Sequence, residues 1–373
     1  MTWRLYICTV LGVKYSNRVG PIKGRGATDN REGRFETRRV ASAEDGWWQE
    51  EEIRAPATEV RAEVARSIIT RNKSPDILFS QSINPYRGCE HGCVYCYARP
   101  THSYVNLSSG LDFETKLFYK SNAAELLESE LSKRSYRPDV IHIGASTDPY
   151  QPIEREQRVT RSVLEVLKRY HHPCTIITKS HLVLRDLDLL TDMARERLCY
   201  VMISLTTLDD DLKRGLEPRA PSPNARLKAI AGLAQAGVPV GVLAAPMIPA
   251  LNDHELEKIL EASANAGAGM AGYVLLRLPY DVKELFESWL RTHVPLRADH
   301  VLSRIRAMRG GELNDSGFGS RFEGKGVEAK LLAQRFDLAC RRFKLNVRSE
   351  HILDTSAFRA PPTMSGQLSL EGF

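Results

Sequence analysis

The chain has 373 residues, 42% of them hydrophobic and 26% charged, with 52 Lys and Arg against 46 Asp and Glu for a net charge of +6. A mean hydropathy of −0.32 and this ordinary charged fraction exclude a membrane protein and a wholly disordered one; no apolar run nears the ~18 residues that a spanning helix needs. The length suits one α/β barrel or two smaller domains. The apolar stretch 5–13 contains Cys8 and Thr9 and lacks a small-residue cleavage site, so a cytoplasmic protein is expected.

Residues 1–73 show little periodicity and read as a basic, largely irregular arm, with eight Lys or Arg against three acids over 14–39. The run Glu50-Glu51-Glu52 beside Trp47-Trp48 reads as solvated surface with an aromatic anchor. From residue 82 short apolar runs alternate with amphipathic stretches. Strands are predicted at 82–86, 140–145, 174–178, 199–204, 238–244 and 273–277. Helical patterns cover 122–133, 158–170, 186–195, 224–235, 254–266 and 282–291. Ser121 and Asn252 stand where N-caps belong, and Gly237 and Gly267 where helices stop. The apolar runs are continuous rather than alternating, as in a parallel sheet covered on both faces. Six βα units within 74–292 therefore predict an α/β fold, a partial barrel.

Between the first strand and the first helix the chain reads Cys89-Glu-His-Gly-Cys93-Val-Tyr-Cys96, three of its seven cysteines within eight residues. An odd count without a signal peptide argues against a disulfide framework and for metal ligation. A structural zinc ion wants four ligands; no second Cys pair follows, though His91 or His102 could supply a fourth. Three thiolates suit an iron–sulfur cluster with one iron left open. Gly88 and Gly92 let the loop bend around such a group.

Residues 293–350 read as a basic helical extension, with thirteen Lys or Arg against seven acids over 291–350. Such charge favours a polyanion, nucleic acid being the commonest, and suits a solvated helix face equally. The Gly-rich run 309–326 reads as a mobile loop over a substrate or as a plain connector. Within it, Gly319 to Gly326 mimics a phosphate loop but ends in Gly where a hydroxyl is needed. Residues 351–373 read as a flexible tail. There Gln367-Leu368-Ser369-Leu370 and Phe373 resemble the peptides that dock bacterial repair proteins into the sliding clamp, although Glu371 and Gly372 widen the motif; the alternative is a tail folded back on the barrel.

The triad Cys89-x3-Cys93-x2-Cys96, with an aromatic residue before the last Cys, resembles the radical S-adenosylmethionine superfamily. The wider segment Asn84-Pro-Tyr-Arg-Gly-Cys89 through Ala98 is similar to that of the spore photoproduct lyase group, and the likeness runs from about residue 74 to 291. The resemblance implies a partial (βα)6 TIM-like barrel, a 4Fe–4S cluster on the three cysteines and S-adenosylmethionine on the open iron. It also implies a flavodoxin- or ferredoxin-type reductant, reductive cleavage to a 5′-deoxyadenosyl radical, and hydrogen abstraction from a substrate. DNA or RNA repair or modification is the first expectation for that substrate, and a protein or small metabolite the second. The non-enzymatic rival is a zinc- or cluster-holding nucleic-acid-binding module.

In parallel βα folds the chemistry collects where strands end. The hydroxyls, lysine and carboxylates found at those ends suit a zwitterionic cofactor with a ribose. By the resemblance, Thr147 and Asp148 stand at the cofactor's amino group, Lys179 and Ser204 at cofactor-binding positions, and Ala245 at a backbone contact. Tyr95 would pack toward adenine. Ala145 stands where the lyase group carries a cysteine hydrogen donor, so the lyase activity itself is excluded. Tyr97, Tyr150 and Tyr280 are the candidates to relay a hydrogen atom in its place.

Overall fold

The computed structural model describes residues 22–30, 35, 56–77, 79–347 and 353–360. Most of the basic arm, the Trp47-Trp48 segment, Cys8 and the clamp-like motif lie outside them. Ten strands are seen among the described residues: β1 (Glu59–Glu63), β2 (Ile69–Arg71), β3 (Gln81–Ile83), β4 (Tyr86–Arg87), β5 (Lys116–Lys120), β6 (Ile141–Ile143), β7 (Cys174–Thr178), β8 (Cys199–Ser204), β9 (Val240–Met247) and β10 (Met270–Leu275). They form a seven-stranded sheet ordered β10-β9-β8-β7-β6-β3-β2 and a three-stranded sheet ordered β1-β5-β4. From β3 to β10 the large sheet is parallel, and β2 adds an antiparallel edge. This is the partial barrel of six βα units that the sequence predicts.

Continuous β-branched and aliphatic runs build it. Ile141, Ile143, Ile176, Val201, Ile203 and Val242 have no exposure, because helices cover the outer face. Register aligns Cys174 with Cys199 at the starts of β7 and β8, the end opposite the strand carboxyl termini. The helix Pro223–Gln235 starts on Ser222, whose hydroxyl accepts from the Ala225 N–H at 3.2 Å, with Pro223 at its first position. Gly237 and Gly267, both at positive φ, follow the helices as expected.

Several expectations are corrected. The strand expected at 82–86 is two strands in different sheets, divided at Asn84-Pro85, where proline has no N–H for the ladder. Asn252 stands at the N-cap of the turn Asp253–Glu255 as expected but does not cap with its side chain, and Asn122 takes the place expected of Ser121: Asn252 accepts from the Ile248 N–H and donates to the Thr206 and Pro246 carbonyls, locking a buried turn. Residues 1–73 are not a separate arm throughout, since β1 and β2 belong to the two sheets. Nor is 351–373 a tail throughout: residues 353–360 return to the barrel, where Phe358 packs on Tyr136, Tyr170 and His172. The segment 309–326 is fastened. Arg309 is buried and donates to the carbonyls of Leu275, Leu276, Ser320 and Arg321, and Arg321 pairs with Asp76. No helix among the described residues is long and apolar enough to cross a membrane.

Candidate active site

The carboxyl ends of six parallel strands meet on one face, and the cysteine loop crosses it. Gly88 and Gly92 carry φ of +76° and +69°; a Cβ on Gly88 would strike Leu117 and the Phe113 carbonyl, and one on Gly92 the Glu114 carboxylate. Three buried groups hold the loop. Gln151, without exposure, accepts from the Glu90 N–H at 2.9 Å and donates to the Gly88 carbonyl at 3.1 Å, bracketing Cys89. Arg99 donates to the Cys93 carbonyl at 2.8 Å and pairs with Glu114, which also accepts from the Gly26 and Ala27 N–H groups. Val94 N–H reaches the Leu216 carbonyl at 3.0 Å, tying the loop to the excursion after β8.

The three thiols are close enough to act on one another electrostatically. Burial, then Asp148 and the other two thiols, push Cys89 well above its ordinary value. Burial and the Glu217 charge push Cys93 up to about 12, and burial raises Cys96. Such thiols become thiolates only when a cation compensates them. Among the described residues no three His, Cys, Asp or Glu side chains converge to hold a single metal ion. A cluster requires less convergence, because each thiolate meets a different iron. His102 Nε2 bonds the Lys116 carbonyl at 2.9 Å, its Nδ1 is buried without a partner and burial brings it down to about 4, but it does not converge with the thiols on a single-ion site. His91 Nδ1 is buried without a hydrogen bond, 3.4 Å from Asp148 Oδ2.

Lys179, Ser204, Ala245 and Tyr95 come together. Lys179 Nζ lies 2.8 Å from Ser204 Oγ, 3.0 Å from Glu217 Oε1 and 3.3 Å from Thr206 Oγ1, and 5.8 Å from the Tyr95 ring centre. Ser204 donates to the Ala245 carbonyl, and the Thr206 and Tyr95 hydroxyls donate to Glu217. Burial works to raise Glu217, yet the charges of Arg226 and Lys179 hold it well below the usual range. Thr206 and Glu217 belong to the polar set expected after the fourth strand, without individual roles, and Arg226 is not expected at all; Glu217 lies thirteen residues past the end of β8, and only the folded excursion brings it under Lys179.

The other expected residues stand elsewhere. Asp148 spends both oxygens on the protein: Oδ1 accepts from Thr178 Oγ1 at 2.6 Å and Tyr150 N–H at 2.9 Å, and Oδ2 from Lys179 N–H at 2.7 Å. Burial works to raise it, but His91 and these bonds hold it below the ordinary carboxylate value. Thr147 is buried and donates to the Tyr86 carbonyl. Tyr150 is corrected as a hydrogen relay: it has no exposure, and its hydroxyl donates to the buried Asp186 at 3.0 Å. Tyr97 and Tyr280 are exposed, and the Tyr97 hydroxyl donates to the Ala145 carbonyl. A pocket of about 200 Å³ opens beside His91, lined by Tyr150, Ser180, His181 and Arg219; Lys179, Ser204 and Ala245 do not line it.

A parallel half-barrel with a three-thiol loop over its strand ends defines a class of cofactor-dependent enzymes. The model of the Radical SAM superfamily matches residues 83–262. The Mycobacterium tuberculosis protein Rv2578c is 36% identical over 242 residues, 64% of this chain and 70% of that protein. MJ0683 of Methanocaldococcus jannaschii is 31% identical over 173 residues, 46% of this chain and 62% of that one. Spore photoproduct lyase complexed with dinucleoside spore photoproduct has the same fold, at a TM-score of 0.54 and 17% identity over 76% of this chain and 79% of that one. The chain belongs to the radical SAM superfamily and is an enzyme of that class. The family implies S-adenosylmethionine and an iron–sulfur cluster.

Proposed function

We propose that this is a radical SAM enzyme that abstracts hydrogen from a nucleic-acid substrate, with a 4Fe–4S cluster on Cys89, Cys93 and Cys96. The observation that carries the cluster assignment is three thiols in one braced loop, Cys89 and Cys93 buried and Cys96 half-buried, with the Lys179 charge acting on Cys93 and Cys96. That donor set fits a cluster and lacks the fourth ligand of a structural zinc ion. A cluster held by Cys89, Cys93 and Cys96 would supply the electron for reductive cleavage of S-adenosylmethionine to methionine and the 5′-deoxyadenosyl group that takes the substrate hydrogen.

The chain's own residues do the positioning. Lys179 presents a cation to the methionine carboxylate while Glu217 fixes its reach. Ser204, bonded between Lys179 and Ala245, lines the same face, the Ala245 carbonyl offers an acceptor, and Tyr95 walls the site. Asp148 and Thr147 act from behind, ordering the turn and the Lys179 backbone. Tyr97 and Tyr280, on the open side, are the tyrosines placed to return a hydrogen atom. The electron comes from a flavodoxin- or ferredoxin-type donor.

The nucleic-acid reading is supported by the basic residues after 291, though much of that charge is internal. Arg304 pairs with Glu328, Arg335 with Glu257, and Lys325 with Asp315. One structural neighbour, spore photoproduct lyase, binds a dinucleoside photoproduct. Anaerobic reconstitution followed by assay for 5′-deoxyadenosine, with DNA or RNA added, tests the proposal. Wild-type protein is expected to take up about four irons and cleave the cofactor, and Cys93→Ala to do neither. Stoichiometric zinc without iron uptake overturns it.

A further inference from the structure

Beyond the thiols and Lys179, the open face holds an arginine that nothing above employs. Arg277 stands two residues past the end of β10, with the ring centres of Tyr97 and Phe322 5.7 and 4.9 Å from its Cζ. Phe322 then stacks on Arg321 at 4.9 Å, and Arg321 on Phe318 at 5.0 Å. Five side chains thus alternate ring and guanidinium, from the residue after Cys96 out to Phe318, which is 63% exposed.

The two guanidinium groups in this ladder differ. Arg321 is matched: Asp76 takes its Nε at 2.7 Å and pairs with its Nη2 as well. Arg277 has no hydrogen bond or ion pair among the described residues, and its buried Nε has no acceptor. Two further arginines, Arg309 and Arg321, lie nearby, and Asp76 is already spent. Stacking alone would account for a flat cation beside rings; it does not account for a buried donor left unmet, which is unfavourable.

We propose that Arg277 is a specificity-determining residue that receives a phosphate group of the substrate, with the rings beside it stacking on the attached nucleoside. A guanidinium fork fits a phosphate oxyanion with two parallel bonds. The exposed ring of Tyr97 beside Arg277 presents a π-face of the kind on which bases stack. The ligand is therefore a phosphate joined to a planar heterocycle, whether a free nucleotide or one link of a strand. This inference rests on the nucleic-acid reading above and names the residue that enforces it.

The test uses full-length reconstituted enzyme under anaerobic conditions, with fluorescein-labelled octathymidylate read by anisotropy. Arg277→Ala is expected to weaken binding about tenfold or more, the usual loss for a charge-assisted contact, and Arg277→Lys to restore only part of it. Arg195→Ala, an exposed arginine just before β8 at the opposite end of the barrel, is the control and retains wild-type affinity. An octamer with an uncharged methylphosphonate backbone is expected not to compete. Competition by thymidine 5′-monophosphate identifies a nucleotide as sufficient, whereas competition only by the phosphodiester octamer identifies a strand. Iron content and S-adenosylmethionine affinity are measured on every variant. Absent wild-type binding, equal affinity in Arg277→Ala, full restoration by Lys, or competition by the methylphosphonate overturns the proposal. Loss of S-adenosylmethionine affinity in both Arg277 variants overturns it too, by placing Arg277 in the cofactor site. Failure of iron uptake in wild-type protein refutes the radical SAM site separately, whatever the probe does.

Discussion

Glu217 shows how one buried carboxylate organises a binding face. It has no exposure and carries Tyr95, Thr206, Lys179 and Arg226 on its two oxygens. Its desolvation is offset by two cations and two hydroxyls, so removing the charge strands Arg226, which is itself buried. Glu217→Gln is expected to cost ~3–5 kcal/mol in urea unfolding. Lys179→Ala, at the edge of the same group, is expected to leave iron content unchanged and weaken S-adenosylmethionine roughly tenfold, for ~1.5–3 kcal/mol of charged contact; unchanged affinity by calorimetry would remove Lys179 from the site. The thiols and Lys179 were legible in the sequence because spacing and strand-end position mark them. Arg99, Glu114 and Gln151 were not, since a brace is defined by what it touches across long stretches of chain.

At the scale of elements, chain direction and strand order followed from apolar runs, and β7 and β8 lie where those runs predicted. The ends proved harder to read where glycine, alanine or proline interrupts the pattern, as at Pro85 and at Ala271-Gly272 in β10. The 309–326 segment was harder still. Its composition suggests a loose loop, but a single arginine converts it into part of the wall. Arg309 supplies four hydrogen bonds to carbonyls at the end of β10, just past it and on the segment itself, at 2.6–3.1 Å. Arg309→Ala is expected to open this segment locally while the barrel stays folded. Four net bonds of ~0.5–1.5 kcal/mol each predict at least a tenfold faster amide exchange over residues 310–325 by mass spectrometry. Unchanged exchange there would mean that the Arg321–Asp76 pair and the ring ladder suffice to hold it.

Across the whole molecule, segment boundaries drawn from composition gave way to packing. β1 and β2 knit the residues before 73 into the sheets, and Phe358 brings residues near 358 back onto the barrel. That return buries His172, one of three histidines kept neutral by burial. His102, His142 and His172 are each brought down to about 4, burial being the leading cause. An unfolded histidine takes up its proton near 6.5, so as pH falls below that value the unfolded chain binds protons that the folded one refuses. Stability is therefore complete above about pH 6.5, declines as pH falls toward 4, and stops declining on this account once the folded rings protonate. Asp148 and Glu217, held below the carboxylate range, act in the same direction but only at lower pH. The urea midpoint is thus expected to drop between pH 6.5 and 4.5, before carboxylates titrate. His142 is the cleanest to change, since its Nδ1 meets only Thr175 Oγ1 at 2.7 Å and its ring stacks on Phe79. His142→Gln keeps a polar partner for Thr175 and removes the titration, so its stability should fall with about one proton's less slope, ~1.4 kcal/mol per pH unit. Parallel pH profiles for wild type and variant would show that His142 protonates in the folded state as readily as in the unfolded one.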